Sequence, residues 1–255
     1  MLLSRMHAQT FESWCNGLTQ PHFMYNGRCF VYDLGMSYTQ AQAKAACTAI
    51  RSDGHLAIVT SEQMDAFLLN KFSGTVHIWV SGGRNDGGVA APCAGCDAGW
   101  NFDFRGTFYG PWPTKAQGWL KRWVYDGSAN LPNGPASAQG MMVYRDNTAG
   151  GRVGFDEINT DALIGYLCEY RSSYRSYKVI PNMAGLRMNT IASFKIDTAS
   201  HVLKCANWCK DNWVCGSFSY NPTTKECRLH LAADHTDDPL LWEAAAGYKW
   251  YSSND

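Results

Sequence analysis

At 255 residues the chain is about twice the usual single-domain length, so two domains are the first expectation and one large sandwich or barrel the reserve. Its 22 Lys+Arg balance its 22 Asp+Glu, and a net charge of zero argues against a nucleic-acid binder and against a long charged tail. The 10 Trp, 13 Tyr and 11 Phe are too many for a disordered chain, and no apolar run approaches the ~20 residues that cross a bilayer.

The first-half elements begin with Ser37-Tyr38-Thr39-Gln40, which has capping-box form, before an Ala-rich run, Ala41 to Ile50, made largely of strong helix formers. His55-Leu56-Ala57-Ile58-Val59 reads as a short strand. Ser61-Glu62-Gln63 then caps a second helix whose Met64, Phe67, Leu68 and Phe72 fall at helical spacing and are expected in the core. From Val76 to Gly118 glycine, proline and aromatics replace any period, as in a functional loop or a misassigned stretch. Strands return at Trp123-Val124-Tyr125, Met141 to Tyr144, Val153-Gly154-Phe155 and Leu163 to Cys168, with turn signals between them. Helices followed by loop-separated strands predict an α+β domain. The polar segment Arg171 to Ser176 marks a boundary, and a second set of elements follows it.

Ten cysteines are present: Cys15, Cys29, Cys47, Cys93, Cys96, Cys168, Cys205, Cys209, Cys215 and Cys227. One CxxC exists, Cys93-Ala-Gly-Cys96, and no second close Cys/His pair stands near it as a structural zinc site would need. Disulfides are therefore expected, which places the chain in an oxidising compartment, secreted and extracellular. The start, Met1 to His7, shows two leucines where a signal peptide would need an apolar core of roughly 7 to 15 residues. The reading is a mature or trimmed start, or export by another signal. Cys205 and Cys209 lie four apart in a helical stretch and so share one face, with Cys215 and Cys227 the nearest partners in sequence.

In residue order the first half resembles a C-type lectin-like domain. The carrying features are Cys15 and Cys29 around Phe23 to Phe30, Cys47 in the first helix, Trp79-Val80-Ser81-Gly82-Gly83, which is similar to that family's WIGL signature, and Tyr166-Leu167-Cys168-Glu169. The resemblance implies a long-form domain over residues 12–171, with bridges Cys15–Cys29 and Cys47–Cys168, the second tying helix to last strand. The second half resembles a PAN/apple domain over residues 174–252. It is carried by Cys205-Ala206-Asn207-Trp208-Cys209, Cys215 to Tyr220, Cys227-Arg228-Leu229 and a final Gly247 to Tyr251 strand. That resemblance implies bridges Cys205–Cys227 and Cys209–Cys215, stapling a helix to a curled antiparallel sheet. Cys93 and Cys96 remain, and a Cys93–Cys96 bridge closing its own small loop is expected. The lectin family's usual second bridge is absent, since Gly140 and the segment Ile158 to Asp161 stand where its cysteines would be. The fold class is thus α+β: a disulfide-stapled C-type lectin-like fold plus a smaller PAN/apple α+β domain.

Sugar-binding members of the lectin family hold Ca²⁺ with oxygen ligands from a cis-proline tripeptide, a following acid and an Asn-Asp pair, because Ca²⁺ is hard and takes six to eight oxygens. Here the corresponding positions read Leu131-Pro132-Asn133 and Gly154-Phe155-Asp156. Pro132, Asn133 and Asp156 are candidate ligand-binding residues, and Asn133 and Asp156 the calcium ligands that remain. Two oxygen donors do not complete a conventional calcium site, so calcium is a cofactor only if other oxygens join them. Otherwise Pro132-Asn133-Gly134 is a turn and Asp156 ends a strand. Asp126, Asp146, Glu157 and Asp161 are further acids whose spacing requires no site. Aromatics of the irregular stretch, Trp112 and Trp119 among them, either form an exposed face for a sugar or a protein or belong to the core.

Enzymatic patterns are weak. Cys93-Ala-Gly-Cys96 lacks the strand-then-helix setting of a redox motif, and the seven histidines show no HExxH, no GxSxG context and no paired ligand spacing. The expectation is a non-enzymatic extracellular recognition protein that binds glycans or extracellular proteins and takes no nucleic acid. The alternative is a structural protein of a matrix or filament, in which both modules make protein contacts and the chain self-associates.

Overall fold

The computed structural model describes residues 10–59, 62–72, 74–84, 100–104, 107–109, 140–146, 152–172, 177–181, 184–188, 193–212, 215–230 and 242–253, with 100–104, 107–109, 140–146, 152–157 and 186–188 described by their backbone alone. The expected strand Trp123 to Tyr125 lies outside them.

The first helix, α1 (Phe11–Asn16), was not foreseen. Thr10 caps it, its side chain accepting from the Ser13 N–H at 3.1 Å. A hairpin follows, β1 (His22–Tyr25) and β2 (Arg28–Tyr38). Its two-residue turn is Asn26-Gly27, both at positive φ (46° and 66°), which suits the right-handed twist of the flanking strands. Helix α2 (Gln40–Ile50) occupies the Ala-rich run. Its capping box is Thr39 with Gln42, two residues later than the expected Ser37 and Gln40, because β2 continues through Tyr38 and the helix cannot begin before the strand ends.

Only His55–Leu56 (β3) of the expected strand 55–59 joins a ladder. Ala57 to Val59 stay buried but leave it: the Ala57 N–H donates to Leu167 O and the Ile58 N–H to the Glu169 side chain. Helix α3 (Glu62–Lys71) precedes β4 (Val76–Arg84), β5 (Trp100–Phe104), β6 (Thr107–Tyr109), β7 (Gly140–Asp146), β8 (Arg152–Ile158) and β9 (Ile164–Tyr170). Together these strands make a nine-stranded sheet whose main path runs β1-β2-β9-β4-β5-β6. Strand β9 lies antiparallel to β2 and parallel to β4, and all seven of its residues are buried.

Alternation along the strands divides the core into two clusters. Phe30 and Leu167 join Phe23, Ile58 and Val80 beneath Met64, Leu68 and Phe72, the helical-spacing residues expected in the core. Cys29, Val31, Tyr166 and Cys168 point the other way, toward Ala43 and Cys47 of α2. Gly54, between α2 and β3, lies so close to the Cys47 carbonyl and the Tyr170 ring that a Cβ there would collide with both.

The second half contains β10 (Tyr177–Val179), β11 (Leu186–Met188), β12 (Ser193–Thr198), α4 (Val202–Asp211), β13 (Ser217–Tyr220), β14 (Glu226–His230), β15 (Trp242–Ala244) and β16 (Lys249–Ser253). Five strands form an antiparallel sheet in the order β10-β16-β13-β14-β12, and β11 pairs with β15. The last strand starts two residues later than expected, since Gly247 (φ 83°) turns the chain into it. One face of α4 presents Cys205 and Cys209 to Phe218, Cys227 and Leu229 of the sheet.

Four bridges are formed as expected: Cys15–Cys29, Cys47–Cys168, Cys205–Cys227 and Cys209–Cys215. No described cysteine is free. The expected Cys93–Cys96 pair lies outside the described residues.

Candidate binding surfaces and the buried charge cluster

Of the residues predicted to bind ligand, Trp112, Trp119, Pro132 and Asn133 lie outside the described residues. Asp156 stands on β8 opposite Met142 of β7. Two strand positions predicted to lack the lectin family's usual second bridge face each other directly: Gly140 pairs with Ile158 at the base of the β7–β8 hairpin. Among the described residues no group of three His, Cys, Asp or Glu side chains could hold a metal ion, and no helix is long and apolar enough to cross a membrane.

The Trp79-Val80-Ser81-Gly82-Gly83 segment is the inner part of β4, fully buried at Trp79. Its indole N–H donates to Tyr38 O at 2.8 Å, and Gly82 O accepts from Gln40 Nε2 at 3.2 Å. The segment therefore anchors the N-terminus of α2. Nearby, the Tyr38 hydroxyl donates to Asp33 Oδ2 at 3.1 Å, and that hydrogen bond, with the carboxylate's charge, raises the phenol's pKa. Leu34 and Met36, in the irregular part of β2 between Asp33 and Tyr38, are exposed, as is Leu163 just before β9.

The strongest charge cluster was not predicted. Glu169 is fully buried on β9, opposite Phe30 of β2 and His55 of β3. Arg171 Nε donates to its Oε1 at 2.6 Å, Arg28 Nη1 lies 3.5 Å from the same oxygen, and the Ile58 N–H donates to Oε2 at 3.0 Å. Burial by itself would raise the carboxyl's pKa. Arg171, Arg28, His55 and the Ile58 amide outweigh it and hold the group down at about 2. With both oxygens occupied, this carboxylate is a structural anchor and is not available as a base or an exchangeable ion ligand.

Arg171 also reaches beyond the first sheet, its Nη1 donating to Cys215 O at 3.2 Å in the disulfide-linked part of the second half. Its own carbonyl accepts from Arg51 Nη2. The Arg51 guanidinium in turn lies 4.4 Å from the Trp14 ring centroid, 5.0 Å from that of Phe11 and 5.5 Å from that of Tyr170. Thus α1 closes over Arg51. Desolvation raises the Tyr170 phenol's pKa, and its hydroxyl donates to Cys47 O at 2.9 Å.

One signal in the sequence could have pointed to the cluster: Glu169 is a lone charge inside the run Ile164 to Tyr170, and a charge in a fully buried strand needs partners. Arg28 begins β2, which pairs with Glu169's strand, and Arg171 follows that strand directly, but the register that brings Arg28 to the carboxylate was not readable without the fold.

In the second half, His230 is fully buried between two hydroxyls, Ser219 Oγ at 3.0 Å from Nε2 and Ser193 Oγ at 3.2 Å from Nδ1. Three adjacent strands are pinned by this one ring.

No curated protein matches the chain. Among solved structures, the C-type lectin domain of murine dendritic cell inhibitory receptor 2 is 12% identical, covering 59% of this chain and 96% of its own, with a TM-score of 0.41. Human lithostathine is 10% identical, covering 66% of this chain and 99% of its own, also at 0.41. The carbohydrate-recognition domain of mouse scavenger receptor C-type lectin is 13% identical, covering 59% and 94%, at 0.39. Residues 180–249 match the family model described as PAN domain.

Proposed function

We propose that the chain is a secreted, extracellular recognition protein, with a lectin-like module over residues 12–171 and a PAN/apple module over 174–252, that binds glycans or extracellular proteins. The observation that carries this reading is the set of four bridges, three of them tying separate elements together and the fourth tying α4 to the segment before β13, beside the PAN match at 180–249. Such crosslinks persist in oxidising compartments, and stapled scaffolds of this kind present loops for binding.

The ligand-binding residues of the first module are Pro132, Asn133, Asp156, Trp112 and Trp119, acting without a complete conventional calcium site; Asn133 and Asp156 are the oxygens that a Ca²⁺ would use. A second reading, assembly into a matrix or filament, is favoured by the exposed apolar side chains Leu34, Met36 and Leu163.

A glycan array probed with the full chain in Ca²⁺ and in EDTA, together with sedimentation velocity, separates the readings. Glycan signal in either buffer supports recognition, and its loss in EDTA assigns a working calcium site. Self-association without glycan signal supports assembly. A monomer that binds no glycan and captures no extracellular protein would overturn both.

A further inference from the structure

We infer that Asn26 is a self-modifying site: its side-chain amide is lost to attack by the backbone nitrogen of Gly27, and the product that lengthens the main chain slackens the hold of Arg28 on Glu169. Three asparagines of the sequence precede glycine, Asn16, Asn26 and Asn133, and a following glycine offers the asparagine side chain a backbone nitrogen with no Cβ beside it. Asn133 lies outside the described residues. Asn16 and Asn26 are both exposed, so exposure does not rank them.

The backbone nitrogen ranks them. Gly17 caps α1, and its N–H donates to Ser13 O at 3.1 Å and to Trp14 O at 3.2 Å. Gly27 lies inside the β1–β2 turn, beyond the last ladder pair of Tyr25 with Arg28, and its N–H makes no hydrogen bond among the described residues. One nucleophile is therefore occupied and the other is free.

The reaction needs only water. Solvent base takes the Gly27 amide proton, the nitrogen bonds to Asn26 Cγ, and ammonia leaves, closing a cyclic imide. Water then opens either carbonyl of the ring. One opening gives an aspartate in an ordinary main chain, and the other an isoaspartyl linkage that carries the main chain through Cβ. No oxidant or reductant takes part.

The two products differ in what they do to the fold. A two-residue turn with both residues at positive φ (46° and 66°) closes only at its own length, so an added backbone carbon breaks its register. Arg28 is the first residue after the turn, and its Nη1 lies 3.5 Å from Glu169 Oε1. The isoaspartyl form shifts that guanidinium away from the buried carboxylate. The aspartyl form keeps the turn, since aspartate tolerates the left-handed region as asparagine does, and adds its charge at an exposed tip. This chemistry is independent of what the two halves bind.

The test incubates the full, disulfide-intact chain in warm neutral buffer and follows each asparagine by peptide mapping, with a reduced and urea-unfolded sample in parallel. Asn26 should deamidate about tenfold faster than Asn16 in the folded chain, because Gly17 must first release its hydrogen bonds. The two rates should converge in the unfolded chain. The isoaspartyl and aspartyl forms are then separated by chromatography. The isoaspartyl form should melt at a lower temperature than the parent, and the variant Asn26→Asp at the parent's. The inference is overturned if Asn16 reacts as fast as Asn26 in the folded chain, or if the difference persists after unfolding. It is also overturned if the isoaspartyl form melts like the parent, or if Asn26→Asp melts as low as the isoaspartyl form.

Discussion

Glu169 shows how one side chain can set the acid tolerance of the first half. Its carboxyl titrates near 2 in the folded chain against 4.5 when solvated. A group whose folded pKa is depressed stabilises the fold above its unfolded pKa and loses that contribution as pH falls toward its folded pKa. Stability should therefore fall between about pH 4.5 and about pH 2. Glu169→Gln removes the charge and leaves Arg28 and Arg171 buried without their counterion, which costs roughly 3 to 5 kcal/mol at neutral pH. Urea denaturation of parent and variant across that window checks both parts: the variant should be weaker at pH 7, and the gap should narrow as pH falls. A constant gap at every pH would assign the loss to packing instead of charge.

Among the elements, α2 and β9 carry the longest covalent closure, Cys47–Cys168, with 121 residues of separation. In the chain-entropy model a loop of that size contributes roughly 5 kcal/mol by restricting the unfolded chain. The double variant Cys47→Ala/Cys168→Ala should lose about that much in denaturant titration while the Cys205–Cys227 and Cys209–Cys215 bridges remain intact by mass mapping. A loss under about 1 kcal/mol would mean that residual structure already constrains the unfolded chain. Cysteine spacing, helical period and family signatures made this level the most legible: α2, α3, α4, β7, β8 and β9 were anticipated within a few residues, and four expected bridges are formed. The capping box was misplaced because a Ser/Thr-rich approach offers two registers, and only the length of β2 decides between them. Helix α1 was missed because its six residues have no amphipathic period of their own; it is held by Arg51 stacked against Phe11 and Trp14. The candidate ligand residues came only from the family resemblance, since nothing in the pattern of Leu131-Pro132-Asn133 or Gly154-Phe155-Asp156 by itself marks a ligand. The Glu169 cluster escaped for another reason: Arg171 is only two residues away, but Arg28, His55 and Ile58 are distant in sequence and meet the carboxylate only through the register of the sheet.

At the scale of the whole molecule, Arg171 decides whether the two halves behave as one body. It is 3% exposed, neutralises Glu169 in the first sheet and donates to Cys215 O in the second half, so the same guanidinium serves both cores. Buried charged donors of this kind lose far more than an exposed ion pair when a partner is removed. The parent should accordingly unfold in one calorimetric transition although its two sheets have separate cores. Arg171→Leu keeps apolar bulk, removes the link to Cys215 and half of Glu169's neutralisation, and should split the trace into two transitions, the first half melting earlier. Arg28→Leu disturbs the same carboxylate without touching Cys215 and should lower the melting temperature while leaving the shape single. If both variants give the same trace, the coupling resides in the rest of the contact between the halves and Arg171 is only a counterion. If the parent itself shows two transitions, the link through Arg171 is too weak to make the halves cooperative, and each core melts on its own.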